Sequence, residues 1–129
     1  MNVGLFDKFR DDENTVYSKE NLLAFIKEKN CYGFIIKNEN EILGFAYGYV
    51  HIRPDGKKDF YLHAIDIMEE YQGKGYGKEL LKFINDSIKN ISCRKMFLIR
   101  NKSNIKACKC YKKTGGISNC DDDIIYEFK

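Results

Sequence analysis

No run of about 18 or more apolar residues occurs in the 129 residues, so no segment reads as a membrane-spanning helix. The opening residues, 1–10, lack the basic start and apolar stretch of a secretory leader. A cytoplasmic protein with no membrane partner is therefore expected. Paired cysteine spacing is also missing. Cys31, Cys93, Cys108, Cys110 and Cys120 are odd in number and match neither a disulfide framework nor a zinc site, so reduced and mostly buried thiols are expected. Cys108 and Cys110, two apart on a helix, point in different directions, and no metal is implied. Proline occurs once, in Pro54-Asp55-Gly56, where two strand-like runs need a turn. With no repeat, low-complexity tract or linker, residues 1–129 read as one domain, and 43% apolar content is enough for one core. Large charge of one sign is absent as well. The 22 basic and 19 acidic residues are interspersed and leave a net charge of +3, too little to argue for a nucleic-acid partner.

What is present is a regular succession of elements. Ser18 can cap a helix over residues 19–29, in which Leu22, Leu23 and Ile26 recur at helical spacing. Strands are expected at 33–37 and 41–51 around the polar turn Asn38-Glu39-Asn40, and again at 59–68, forming an antiparallel meander. Gly44 and Gly48 inside the second strand mark a bulge, a bend or a close neighbour. The clearest helix spans 75–90, with Leu80, Leu81, Ile84, Ile88 and the following Ile91 in one stripe and Lys78, Lys82, Asp86 and Lys89 opposite. A buried strand at 95–100, a shorter helix at 104–114 and a closing strand at 124–128 follow. Strand, turn, helix, strand makes a right-handed crossover, so the strand at 95–100 should lie parallel to that at 59–68. The fold class is α/β (α+β), with a mixed, mostly antiparallel central sheet and helices on both faces.

The most informative segment runs from Ile65 to Lys78, a strand feeding the glycine-rich turn Gln72-Gly73-Lys74-Gly75-Tyr76-Gly77 that opens the long helix. Glycines allow a positive φ and close approach to phosphate oxygens, and the helix aims unpaired N–H groups at the same place. Lys74 and Lys78 add positive charge. The segment is neither a Gly-x-Gly-x-x-Gly run nor a Gly-Lys-Ser/Thr ending, so a pyrophosphate other than a dinucleotide's or a nucleoside triphosphate's is needed. Coenzyme A has one. On the helix at 104–114, Ala107 and Tyr111 are four apart on one face, where a small residue leaves room for a ligand and a phenol can reach it; a core tyrosine is the alternative.

With these residues in place, the sequence resembles the GNAT superfamily of N-acetyltransferases. The signature Gln/Arg-x-x-Gly-x-Gly/Ala is matched by Gln72, Gly75 and Gly77. The pattern Asn-x-x-Ala-x-x-x-Tyr-x-x-x-Gly is matched by Asn104, Ala107, Tyr111 and Gly115. Secondary matches, Leu5-Phe6, Phe9 and Asp11, Leu43-Gly44 with Ala46, and Tyr111, Lys113 and Gly115, are nearest to aminoglycoside 3-N-acetyltransferases. The resemblance implies a GNAT fold whose N-terminal strand is short or absent here, because only Met1 to Gly4 precede Leu5. It implies acetyl-coenzyme A as co-substrate, held by Ile65, Ile67, Gln72, Gly73, Lys74, Gly75, Tyr76, Gly77, Lys78, Asn104, Ala107 and Tyr111, with the pantetheine arm in a cleft between splayed strands.

The reaction so implied is attack of a neutral amine on the thioester. A tyrosine remains protonated near neutrality, so Tyr111 is the candidate acid for the departing thiolate. The base is left open. Imidazole as a side-chain type suits a base near neutrality, and His63 lies on the strand entering the cleft; Asp66 is nearer the thioester, but strict alternation puts it on the opposite face unless a bulge intervenes. Glu69 and Glu70 are further options through an ordered water, with solvation as the alternative. Glu70, Asp122 and Asp123 are candidates for attracting a cationic acceptor, and Asp121 to Asp123 read equally as a polar turn. The acceptor is an aminoglycoside-like molecule, a polyamine, or a protein or peptide amine; a non-catalytic coenzyme A-binding module is the reading from another class. A homodimer is expected if a sheet edge needs covering.

Overall fold

The computed structural model describes residues 18–118 and 123–129. Leu5, Phe6, Phe9 and Asp11 of the secondary match, and with them the segment whose strand is expected to be short or absent, lie outside them, as do Cys120, Asp121 and Asp122. Helix α1 spans Lys19–Lys27, with Ser18 as its N-cap accepting the Asn21 N–H at 3.0 Å. Strands β1 (Cys31–Lys37), β2 (Ile42–Ile52) and β3 (Lys58–Ile67) follow, then a 3-10 turn over Glu69–Tyr71, helix α2 (Tyr76–Lys89), strand β4 (Lys95–Phe97) and helix α3 (Ile105–Lys113). The turns are specified locally. The Asn38 side-chain oxygen accepts from the N–H groups of Asn40 and Glu41, and Gly56 takes φ +82° while its N–H bonds the Arg53 carbonyl.

The sheet has the order β1-β2-β3-β4, antiparallel through the first three strands and parallel at β3–β4, as the crossover rule requires. One face carries the main core. Ala46, Val50, Phe60 and Leu62 pack against Leu80, Leu81, Ile84 and Ile88, the stripe expected on α2. α1 lies on the other face, where Leu22 joins Ile42 and Phe45 and the Phe25 ring meets Tyr47 and Tyr49 edge-on. The packed face of α1 is thus set by Leu22 and Phe25, three apart, while Leu23 and Ile26, expected to share it, are exposed.

Two glycines of β2 are there because a neighbour fills the space of a side chain. A Cβ on Gly44 would lie 2.4 Å from the Ile67 side chain, and one on Gly48 would lie 2.2 Å from the Tyr61 carbonyl oxygen. Gly48 also borders a register shift: Tyr47 pairs with Ala64 but Gly48 pairs with Leu62, so His63 is an extra residue in β3.

Two expectations about strands are corrected. Residues 95–100 pair with β3 only as far as Phe97, and residues 98–100 leave the sheet. Residues 124–128 form no strand; Ile124, Ile125, Tyr126 and Phe128 are exposed, and an apolar run becomes a strand only where a neighbouring edge supplies its hydrogen bonds.

Candidate active site

The early divergence of β4 builds the site. Pairing ends at Tyr61↔Phe97, whereas β3 continues to Ile67, so the β4-facing edge of β3 from Leu62 onward has no strand beside it among the described residues. This gap ends at the glycine turn. Gly73 and Gly75 take φ of +79° and +88°, conformations that L side chains resist, and Gly75 is the N-cap of α2 in the left-handed region. As glycine it offers no side-chain cap, which leaves the first N–H groups of α2, from Tyr76, Gly77 and Lys78, pointing out of the helix end. A Cβ on Gly77 would make only ordinary contacts, 3.5 Å from Cys110 Sγ and 3.7 Å from Ile67. Lys74 places its ammonium 5.7 Å from the centre of the Tyr71 ring, and Tyr71 packs edge-on against Tyr76.

Three motif residues brace this architecture. The Gln72 side-chain amide donates to the Ile67 carbonyl at 2.9 Å, tying the turn back to the end of β3. The Asn104 side-chain oxygen accepts the Ala107 N–H at 3.3 Å as the N-cap of α3. Gly115, with φ +99°, stops α3, and the Gly116 N–H then bonds the Tyr111 carbonyl at 2.8 Å. Ile65 and Ile67 are partly buried against the main core beneath the gap.

Tyr111 projects from α3 against the same core, and its hydroxyl accepts a hydrogen bond from Arg100 Nε at 3.0 Å. Burial pushes the phenol above its ordinary pKa, and the adjacent guanidinium opposes that shift. Tyr111 is therefore protonated at neutral pH. Arg100 Nη1 also donates to the carbonyls of Ile99, at 2.8 Å, and His63, at 3.4 Å. Arg100 thus spans the gap, linking the bulge of β3 to α3. It was not among the residues singled out from the sequence; the available signal was a charged residue ending an apolar run four positions before Asn104.

On the α1 face of the sheet, the His63 ring stacks on Tyr47 with centroids 5.2 Å apart and meets Tyr49 and Tyr61 edge-on at 5.9 and 5.6 Å. His51, Tyr61 and Phe97 extend this aromatic surface. The bulge corrects the parity expected for Asp66. Asp66 pairs with Phe45, whose face is that of Tyr47 and Tyr49, so Asp66 shares a face with His63. Tyr111 stands on the α2 side, so the candidate acid and both candidate bases flank the gap from opposite faces. Glu70, in the 3-10 turn, and Asp123 are exposed and contribute charge but no enclosed pocket.

A family model described as the acetyltransferase (GNAT) family matches residues 3–116. The chain belongs to the GNAT family. A spermine/spermidine N(1)-acetyltransferase of Bacillus subtilis is 32% identical over 81 residues, covering 60% of this chain and 53% of that protein. The chain spans about half the length of the curated relatives it matches. An aminoglycoside acetyltransferase from an uncultured soil metagenomic sample, solved with trehalose, superposes with a TM-score of 0.82 at 21% identity, covering 98% of this chain and 84% of that one. An aminoglycoside N-acetyltransferase solved with coenzyme A gives a TM-score of 0.74 at 18% identity, covering 85% of this chain and 74% of that one. At these identities the solved structures establish the GNAT fold, a mixed sheet flanked by helices. No helix among the described residues is long and apolar enough to cross a membrane.

Proposed function

We propose that this GNAT domain, one unit over residues 1–129, transfers acetyl from acetyl-coenzyme A to a primary amine of a small, multiply charged molecule such as a polyamine or aminoglycoside. The observation that carries the reading is the open edge of β3, bounded at one end by the positive-φ glycine turn and at the other by the Tyr111 hydroxyl. The residues fit the coenzyme. The uncapped N–H groups of Tyr76, Gly77 and Lys78 suit its pyrophosphate, Lys74 adds charge, and the backbone at Ile65 and Ile67 can pair with the pantetheine amides as a neighbouring strand would. Gln72 and Asn104 serve by holding the turn and α3 in place, and Ala107 keeps the α3 face narrow. When bound, acetyl-coenzyme A supplies an activated acyl group with a thiolate leaving group.

The chain's own residues would then divide the proton transfers. Tyr111 gives its hydroxyl proton to the departing sulfur, while His63 or Asp66, on the other face, takes the proton from the attacking nitrogen, directly or through water. The aromatic rings of Tyr47, Tyr49, Tyr61 and Phe97 around His63 favour an acceptor with additional ammonium groups, and exposed Glu70 and Asp123, together with Asp122, would raise its encounter rate. Spermine, spermidine and aminoglycosides, the acceptors for which the matched proteins are named, are all polyamines. The enzyme is taken as a cytoplasmic homodimer, the exposed Ile124, Ile125, Tyr126 and Phe128 offering surface for a second copy; light scattering that finds only monomer removes that part.

Thiol release from acetyl-coenzyme A, followed against aminoglycosides, polyamines and peptides, tests the reading. Turnover is expected with polyamines or aminoglycosides, and Tyr111→Phe should lower kcat by about a hundredfold. Coenzyme A binding without turnover would instead mark a non-catalytic module, and no binding would sink the reading altogether.

A further inference from the structure

We infer that Arg100 is a positioning residue that fixes the Tyr111 hydroxyl as a proton donor to the leaving sulfur, an inference that rests on the acetyltransferase reading above. The guanidinium carries no lone pair, so in the 3.0 Å bond from Arg100 Nε the Tyr111 oxygen is necessarily the acceptor. A phenol O–H prefers the plane of its ring, where it has two positions. With Arg100 directed at the oxygen from one side, the hydrogen is left pointing away from the guanidinium. The guanidinium is itself held. Its Nη1 bonds the carbonyls of Ile99 and His63, one from the segment where β4 leaves the sheet and one from the bulge of β3, and its Cζ lies 5.9 Å from the Tyr111 ring centre. A single side chain thus connects both walls of the gap to the tyrosine. Lysine could supply the charge but not this planar set of donors.

In the step concerned, the amine nitrogen bonds the acetyl carbon and gives up a proton to His63 or Asp66, directly or through water, while the carbon–sulfur bond breaks with its electron pair going to sulfur. The Tyr111 proton follows to that sulfur. The phenolate left behind faces the Arg100 guanidinium until solvent returns a proton, so the charge that orients the hydroxyl also stabilises the product of its ionisation. The opposing effects of burial and Arg100 on the Tyr111 phenol are consistent with this division.

The test places Arg100→Gln and Arg100→Lys in the wild type and in Tyr111→Phe. Arg100→Gln should lower kcat by about tenfold to a hundredfold with KM for acetyl-coenzyme A little changed, and Arg100→Lys should recover part of that loss. In the Tyr111→Phe background, Arg100→Gln should add almost nothing. Independently of turnover, the tyrosinate absorbance of Tyr111, isolated by subtracting the Tyr111→Phe titration, should appear at higher pH in Arg100→Gln than in wild type. Equal losses of kcat in both backgrounds, or an unmoved Tyr111 titration, would reduce Arg100 to a structural brace and overturn the inference while leaving the acetyltransferase reading intact. A wild type that binds coenzyme A but acetylates nothing would sink that reading, and this inference with it.

Discussion

Replacing Gly48 by alanine should destabilise the protein and displace the His63 bulge. The added Cβ would stand 2.2 Å from the Tyr61 carbonyl oxygen and 2.8 Å from the Phe60 ring, and Phe60 is fully buried. Relief requires a retreat of roughly 1 Å by backbone on one side and by a core aromatic on the other, which puts the cost at the upper end of overpacking, about 3 kcal/mol. For a chain of this length that corresponds to a fall in Tm of about 10 °C. Gly33→Ala is the matched control. Its Cβ would meet only the Phe25 ring at 3.8 Å, an ordinary contact, so the substitution should be neutral or stabilise by about 0.5 kcal/mol. Thermal melts by circular dichroism of the three proteins decide the matter. A Gly48→Ala melt that overlays wild type would refute the argument that the β2–β3 spacing is fixed by this approach. Among folded Gly48→Ala molecules, acetyl transfer should fall further than coenzyme A affinity, because the bulge places His63 whereas the glycine turn lies at the other end of the gap.

At the turn, Gly75→Ala meets no neighbour within 4 Å but must hold φ +88°, which costs about 1–2 kcal/mol and should weaken coenzyme A by about tenfold in calorimetric titration; Gly75→Asn should lose less, and equal affinity in all three would remove the turn from the binding site. At the β3–β4 junction, Arg94 donates to both Asp59 carboxylate oxygens, at 2.7 and 3.2 Å, and holds that carboxyl below its usual pKa. This contribution is fully present above the pKa of the unfolded carboxyl, about 3.9, and fades as pH falls through the lower folded value. Asp59→Asn should accordingly lower Tm at pH 7 and lose that deficit as the pH is taken below 4; a deficit that stays constant down to pH 2 would show that the ion pair is not its source.

Much of the architecture was legible in local pattern. The α2 stripe at Leu80, Leu81, Ile84 and Ile88 is the core stripe because its apolar residues recur at the helical period, the turn at Asn38 is written in a side chain that bonds nearby backbone, and the turn at Gly56 in a glycine that takes a positive φ. The parallel pairing of β3 and β4 followed from the helical crossover that joins them. Less was legible where a distant neighbour decides. Whether residues 95–100 and 124–128 become strands depends on the edge they meet, and the packed face of α1 depends on the tyrosines of β2.

The site divides along the same line. The sequence alone determined the glycine turn, the helix that follows it and the placing of Tyr111 one helical turn from Ala107, because these depend on residues close together in the chain. Only the tertiary structure decided that His63 and Asp66 share a face, since one extra residue in β3 is visible only against the register of β2. It also decided that Arg100 meets Tyr111, because that contact exists only where β4 diverges from β3 and α3 folds back over the gap. Periodicity fixes what a residue does within its own element, while partners from other elements are set by how those elements pack.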